Sequence, residues 1–172
     1  GFNVTVLSTV ITENLVKYYK NESQFVVKVL NGDGTPANGT NVTFNINGVF
    51  YTKEVINGTA TLNINLYPGD YIITTMYGKY AVGNNVTVLP TLITKDLDMK
   101  FQDGSNFTAK TLDGQGKPLA NQNITFNVNG VFYNRTTDEN GMANLLIRLN
   151  PGKYIITSIW NEYQVGRTIT IA

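Results

Sequence analysis

The side chains of this chain that could carry chemistry are few and scattered. Asp96, Asp98 and Asp103, with Glu13, offer carboxylate oxygens of the kind a calcium ion takes at a domain boundary. Lys17 or Lys20 set against Asn84 or Asn85 would supply the amine and carboxamide of an intramolecular isopeptide bond, a lysine–asparagine crosslink between first and last strands. Tyr51, Tyr133, Trp160 and Tyr163 are candidates for an aromatic binding surface, against which strand aromatics also serve as core or cross-strand pairs. Asp138-Glu139 is an adjacent pair, which on an extended chain points its carboxylates apart and sets no spacing for glycoside chemistry. Histidine and cysteine are absent, which excludes imidazole and thiol nucleophiles, disulfides and Cys/His metal sites. Neither catalytic residue, metal site nor cofactor is assigned.

The elements that must position these groups occur twice. Asn47-Gly48-Val49-Phe50-Tyr51 recurs 82 residues later as Asn129-Gly130-Val131-Phe132-Tyr133, and Pro36 maps onto Pro118 at the same offset. One residue is inserted between Tyr133 and Gly141, so Pro68-Gly69 maps onto Pro151-Gly152 and Tyr77 onto Trp160. A unit of this length that buries its own core reads as a tandem domain and not as a solenoid turn. Residues 7–88 and 89–172 are the two expected repeats. Residues 1–6 match Gly83-Asn84-Asn85-Val86-Thr87-Val88 and read as the last strand of a preceding copy. The duplication also tests the chemistry: Asp96 and Asp98 align with Asn14 and Val16, and Asn84 and Asn85 align with Arg167 and Thr168. Neither the calcium site nor the isopeptide bond is then common to both repeats.

Within each repeat the hydrophobic period is two. Asn41 to Asn47 and Thr59 to Leu66 alternate polar with apolar, and the later copy keeps the apolar set as Ile124, Phe126 and Val128, then Ala143, Leu145, Ile147 and Leu149. Half-buried strands of this kind belong to antiparallel sheets. Turn residues separate them: Asn31-Gly32-Asp33-Gly34 and Asp113-Gly114-Gln115-Gly116, each followed by proline, and the hairpin signals Asn57-Gly58 and Asn140-Gly141. Strands are expected near residues 7–12, 23–30, 40–47, 49–56, 59–66, 70–77 and 80–88. The expectation is all-β: two tandem antiparallel β-sandwiches of about seven strands each. Tyr71 and Tyr154 follow Pro-Gly at a strand start, where a tyrosine hydroxyl commonly staples nearby backbone. The junction around Pro90 carries no Gly/Ser stretch, so no flexible linker is expected.

Composition bears on partners. Only 15% of residues are charged and the net charge is +1, with no basic run, so nucleic acid and anionic membrane surfaces are not expected partners. No stretch is long enough to insert in a bilayer. A small-domain protein without cysteine is either cytosolic or exported by an organism that does not rely on disulfides. Asn-x-Ser/Thr acceptors at Asn3, Asn21, Asn38, Asn41, Asn57, Asn85, Asn106, Asn123 and Asn134 favour export as glycosylation candidates, although a chain this rich in Asn and Thr also generates such triplets by chance.

Taken in order, the Asp-Gly turn with proline, Val-Thr-Phe, Asn-Gly-x-x-Tyr, Thr137-Asp138-Glu139-Asn140-Gly141-Met142-Ala143 and x-Pro-Gly-x-Tyr resemble a known pattern. The chain is similar throughout to the Ig-like repeats of large archaeal adhesin-like surface proteins, especially those of methanogens, and more distantly to bacterial Big-type repeats. The first copy departs at Val55-Ile56-Asn57-Gly58-Thr59-Ala60, so the acidic residue of that motif serves no role required of every repeat. The resemblance implies an extracellular, non-catalytic stalk or spacer whose neighbours are further repeats of its own chain. The alternatives are a module that itself recognises a glycan or protein on a partner cell, and a filament subunit assembled by strand donation.

Overall fold

Sequence alternation becomes alternation of burial. Along Asn41–Ile46 the side chains of Val42, Phe44 and Ile46 are buried while Thr43 and Asn45 face outward, and Asn123–Val128 repeats this with Ile124, Phe126 and Val128. The structure, a computed structural model, describes residues 1–172 and is built from strands alone. In the first unit, Gly1–Leu89, these are β1 (Val10–Thr12), β2 (Leu15–Tyr18), β3 (Gln24–Val29), β4 (Asn41–Ile46), β5 (Val49–Glu54), β6 (Thr59–Asn63), β7 (Gly69–Tyr77) and β8 (Tyr80–Leu89). In the second, Pro90–Ala172, they are β9 (Leu92–Ile93), β10 (Leu97–Met99), β11 (Asn106–Thr111), β12 (Asn123–Val128), β13 (Val131–Thr136), β14 (Met142–Leu146), β15 (Gly152–Trp160) and β16 (Tyr163–Ile171).

Each unit is an Ig-like sandwich of a three-stranded and a five-stranded sheet. The first has β1-β3-β6 against β2-β8-β7-β4-β5, and the second has β9-β11-β14 against β10-β16-β15-β12-β13. An aromatic pair from opposite sheets centres each core: the rings of Phe25 and Phe44 lie 5.8 Å apart at 87°, and those of Phe107 and Phe126 lie 5.8 Å apart at 86°. Such edge-to-face pairs contribute about 0.5–1.5 kcal/mol beyond the area they bury.

Eight strands per unit replace the expected seven. The expected first strand at 7–12 shortens to β1, and the chain then breaks at Glu13-Asn14 and crosses to the other sheet as β2. There it pairs in parallel with β8, Leu15 opposite Val86 and Lys17 opposite Val88, and β10 pairs likewise with β16. Every other ladder is antiparallel. Alternation concealed β2 because its faces are reversed: Val16 is 64% exposed and Lys17 only 5%. The second copy has the ordinary arrangement, Asp98 outward and Met99 buried.

Turn chemistry explains most of what the copies share. Asn47-Gly48 and Asn129-Gly130 have φ of 54° and 75°, and 52° and 76°, as a two-residue hairpin joining β4 to β5 and β12 to β13 requires. Asn57-Gly58 makes a tight turn too, but the strands on either side, β5 and β6, go to different sheets, so it is a corner and not a hairpin between paired strands. Only glycine fits that corner. A Cβ on Gly58 would sit 2.8 Å from the Cβ of Pro36, and one on Gly141 2.6 Å from the carbonyl oxygen of Thr111. The one-residue insertion is absorbed there by Asp138, whose Oδ1 accepts the amides of Asn140 and Met142 at 2.9 and 3.0 Å. Unit two also replaces buried Val29 and Val55 with buried Thr111 and Thr137, whose hydroxyls both donate to the carbonyl of Leu119. A buried hydroxyl is tolerated when it is hydrogen-bonded in this way.

Residues 1–6 belong to no strand, and Val4 and Val6 are 86% and 90% exposed.

Candidate functional sites

The acidic groups near Asp96 act on backbone. Asp96 Oδ1 accepts the amide of Thr168 at 2.9 Å, and Asn14 Oδ1 accepts the amide of Asn85 at 2.9 Å in unit one. In both units this carboxylate or carboxamide ties the break between the first two strands to the last strand. Asp103 accepts the amides of Lys100 and Ser105, each at 2.9 Å, and the hydrogen bonds to Ser105 and to the Lys100 amide hold its carboxyl below the ordinary value of 3.8. Asp98 and Glu13 are exposed. No three acidic side chains converge to hold a metal ion.

The lysines that could have supplied an isopeptide bond have other partners. The Lys17 ammonium donates to the carbonyls of Ile64 at 2.8 Å and Ser23 at 3.3 Å, while the Asn84 amide donates to Asn14 Oδ1 at 3.2 Å. Lys20 stands over the Tyr19 ring, 5.6 Å from its centroid. The physical reason is strand parity: Lys17 projects into the sandwich toward the end of β6, whereas Asn84 is engaged at the break between β1 and β2.

Tyr71 and Tyr154 are the backbone staples expected of them, donating to the carbonyls of Tyr67 at 2.7 Å and Asn150 at 2.8 Å. The four candidate binding aromatics do not form one surface. Tyr51 lies opposite Phe44 and Tyr133 opposite Phe126, so both share the parity of the core-facing residues. Tyr133 packs on the second core and lines a groove with Val128, Arg135, Leu145 and Leu149, while Tyr51 is 39% exposed. Trp160 pairs across the β15–β16 hairpin with Tyr163; both pack on the core, and the indole N–H donates to Gln122 Oε1 at 3.2 Å. The outward aromatics are instead the neighbours, Phe50 and Phe132, at 63% and 61% exposure. Alternation in the sequence showed that one residue of each Phe-Tyr pair faces solvent, but which one depends on the register with β4 and β12.

Eight of the nine glycosylation candidates are exposed: Asn3, Asn38, Asn41, Asn57, Asn85, Asn106, Asn123 and Asn134. Asn21 is half-buried, with Oδ1 accepting the Ser23 amide at 2.8 Å. No helix is long and apolar enough to cross a membrane.

No protein-family model matches the chain, and no curated protein matches it. Among solved structures, the D0-D1 domain of intimin aligns over 94% of this chain and 96% of its own, with 16% identity and a TM-score of 0.40. A tandem from titin aligns over 94% of this chain and 64% of its own at 16% identity and a TM-score of 0.43. Invasin, described as a bacterial integrin-binding protein, aligns over 98% of this chain and 40% of its own at 19% identity and a TM-score of 0.38. Each is a likeness in chain path and in nothing further.

Proposed function

We propose that the chain is a pair of repeats from a large extracellular adhesin-like protein, of the kind its motifs resemble in methanogenic archaea, and that it serves there as a non-catalytic stalk segment. One observation carries this reading. Each unit closes its own core around a duplicated phenylalanine pair, and Asp96, Asp103, Asp138 and Lys17 are spent on backbone, where they hold turns or strand ends. Residues 1–6 then serve as the closing strand of a preceding repeat, and the exposed sequons make the chain a glycoprotein.

Its test is to display a reporter binding domain on cells through increasing numbers of copies of this chain. Capture of the reporter by a bead too large to penetrate the cell envelope should rise with copy number, and a flat response overturns the stalk role. Mass spectrometry of the chain from its native source should show hexose-containing additions on exposed sequons. A second reading, in which the repeats themselves bind a glycan or protein of a partner cell, is favoured by the outward phenylalanine that both copies keep.

A further inference from the structure

Four outward-facing residues lie side by side across the five-stranded sheet of unit one. Phe50 of β5 is opposite Asn45 of β4, Asn45 is opposite Thr74 of β7, and Thr74 is opposite Gly83 of β8. Unit two repeats the row without a change as Phe132, Asn127, Thr157 and Gly166. Ile72 and Ile155, exposed at 66% and 63%, stand beside the glycines in both copies.

The fold does not ask for these glycines. Neither has a positive φ, the ladder runs through them in register with no bulge, and a Cβ would meet only the Cγ2 of Ile72 at 3.8 Å or of Ile155 at 3.9 Å, ordinary contacts. Glycine inside a strand weakens it, and without a turn or bulge to explain it, it marks a place where something approaches the backbone closely. Three of the four polar side chains in the two rows are also free of hydrogen bonds within the chain. The Asn45 carboxamide and the Thr74 and Thr157 hydroxyls have no partner within the chain, and Asn127 uses only its Oδ1, which accepts the Gly130 amide at 3.1 Å.

We propose that each repeat binds a short neutral saccharide along this row, in a notch floored by Gly83 and Thr74, or by Gly166 and Thr157. This deepens the reading in which the repeats bind, and it commits to the occupant on chemical grounds. The row carries no charge, and two charges further along the β7–β8 hairpin, Asp70 and Lys79, become Lys153 and Glu162 in β15–β16, so these positions offer an ionic ligand opposite signs in the two copies. Carboxamides and hydroxyls both donate and accept, as sugar hydroxyls do. The exposed phenylalanine at the end of the row offers an apolar face to the C–H side of a pyranose ring. Three strand spacings from Gly83 to Phe50 give about 14 Å, the reach of an oligosaccharide and not of a single ring. One such open site binds weakly, and an array of repeats multiplies the effect.

The test is an amide-resolved NMR titration of the 172-residue chain, made without glycosylation because Asn85 and Asn134 border the row, against neutral gluco-, manno- and galacto-oligosaccharides. At least one series should shift Asn45, Thr74 and Gly83 together with Asn127, Thr157 and Gly166, with dissociation constants in about the millimolar to high-micromolar range. Gly83→Val with Gly166→Val should melt higher than the parent and bind at least about tenfold more weakly, because valine suits an open strand position and fills the notch. Phe50→Ala with Phe132→Ala provides a second variant and should also weaken binding. The proposal is overturned if no series shifts the row, if shifts centre on Tyr133 and Trp160 instead, if the valine variant binds as the parent does, or if it melts lower. Concentration-dependent self-association that broadens the same amides would assign the face to a second copy of the chain and overturn it too.

Discussion

The ammonium of Lys17 sits 2.8 Å from the carbonyl oxygen of Ile64, inside a sandwich where the other copy of the repeat places Met99. A lysine in this position is costly because its charge leaves water, and burial lowers its pKa from 10.5.

That shift makes unit one sensitive to alkaline pH. Between the lowered folded pKa and 10.5 the unfolded chain binds the proton more readily than the folded one, so stability rises with pH through this window. Hydrogen exchange of the Phe25 and Phe44 amides should slow relative to those of Phe107 and Phe126 as pH climbs through it, after correction for intrinsic rates. Lys17→Met should abolish the difference while changing stability at neutral pH by less than about 1.5 kcal/mol, since the swap conserves volume. A rise that persists in the methionine variant would show that Lys17 is not its source.

Asp96 is expected to behave as a backbone clamp. Asp96→Asn should be nearly silent, since Asn14 performs the same task in unit one, whereas Asp96→Ala leaves the Thr168 amide without its partner and should cost about 1–2 kcal/mol in urea unfolding. Adding calcium should leave the midpoint of the parent protein unchanged. A calcium-dependent rise lost in Asp96→Asn would restore the carboxylates to a metal role.

The tyrosine staples should contribute equally to the two units. Tyr71→Phe and Tyr154→Phe each remove one hydroxyl-to-carbonyl bond, to Tyr67 and Asn150, and leave the ring packing in place. Each should cost about 1 kcal/mol, and the double variant the sum, because the two share no partner. Calorimetry of the single and double variants checks both magnitude and additivity.

Two buried hydroxyls offer the opposite case. Thr75 and Ser158 occupy matching core positions at 0% exposure, and neither Oγ atom has a hydrogen-bond partner. Thr75→Val and Ser158→Ala should each raise stability by about 1 kcal/mol, because an unpaired buried hydroxyl keeps its desolvation cost without return. A lower melting temperature in both would mean that these hydroxyls find a partner in solution.

Local pattern determined a great deal of this protein. The 82-residue period is read from the sequence directly, and the inward set of Val42, Phe44 and Ile46, the Asn47-Gly48 hairpin and the stapling role of Tyr71 follow from spacing and turn chemistry within a few residues, where side-chain parity and φ preferences act. Tertiary structure alone decided what depends on a distant partner. The strand at Leu15–Tyr18 exists because β8 offers it a parallel edge, and the Asn14 carboxamide that secures the crossing finds its amide 71 residues away. Phe50 takes the outward parity of its strand because Tyr51 falls opposite Phe44, and Gly83 joins the row of Phe50, Asn45 and Thr74 because it falls opposite Thr74. Register across a sheet is set by the summed packing of two faces, and no single strand carries that sum in its own residues.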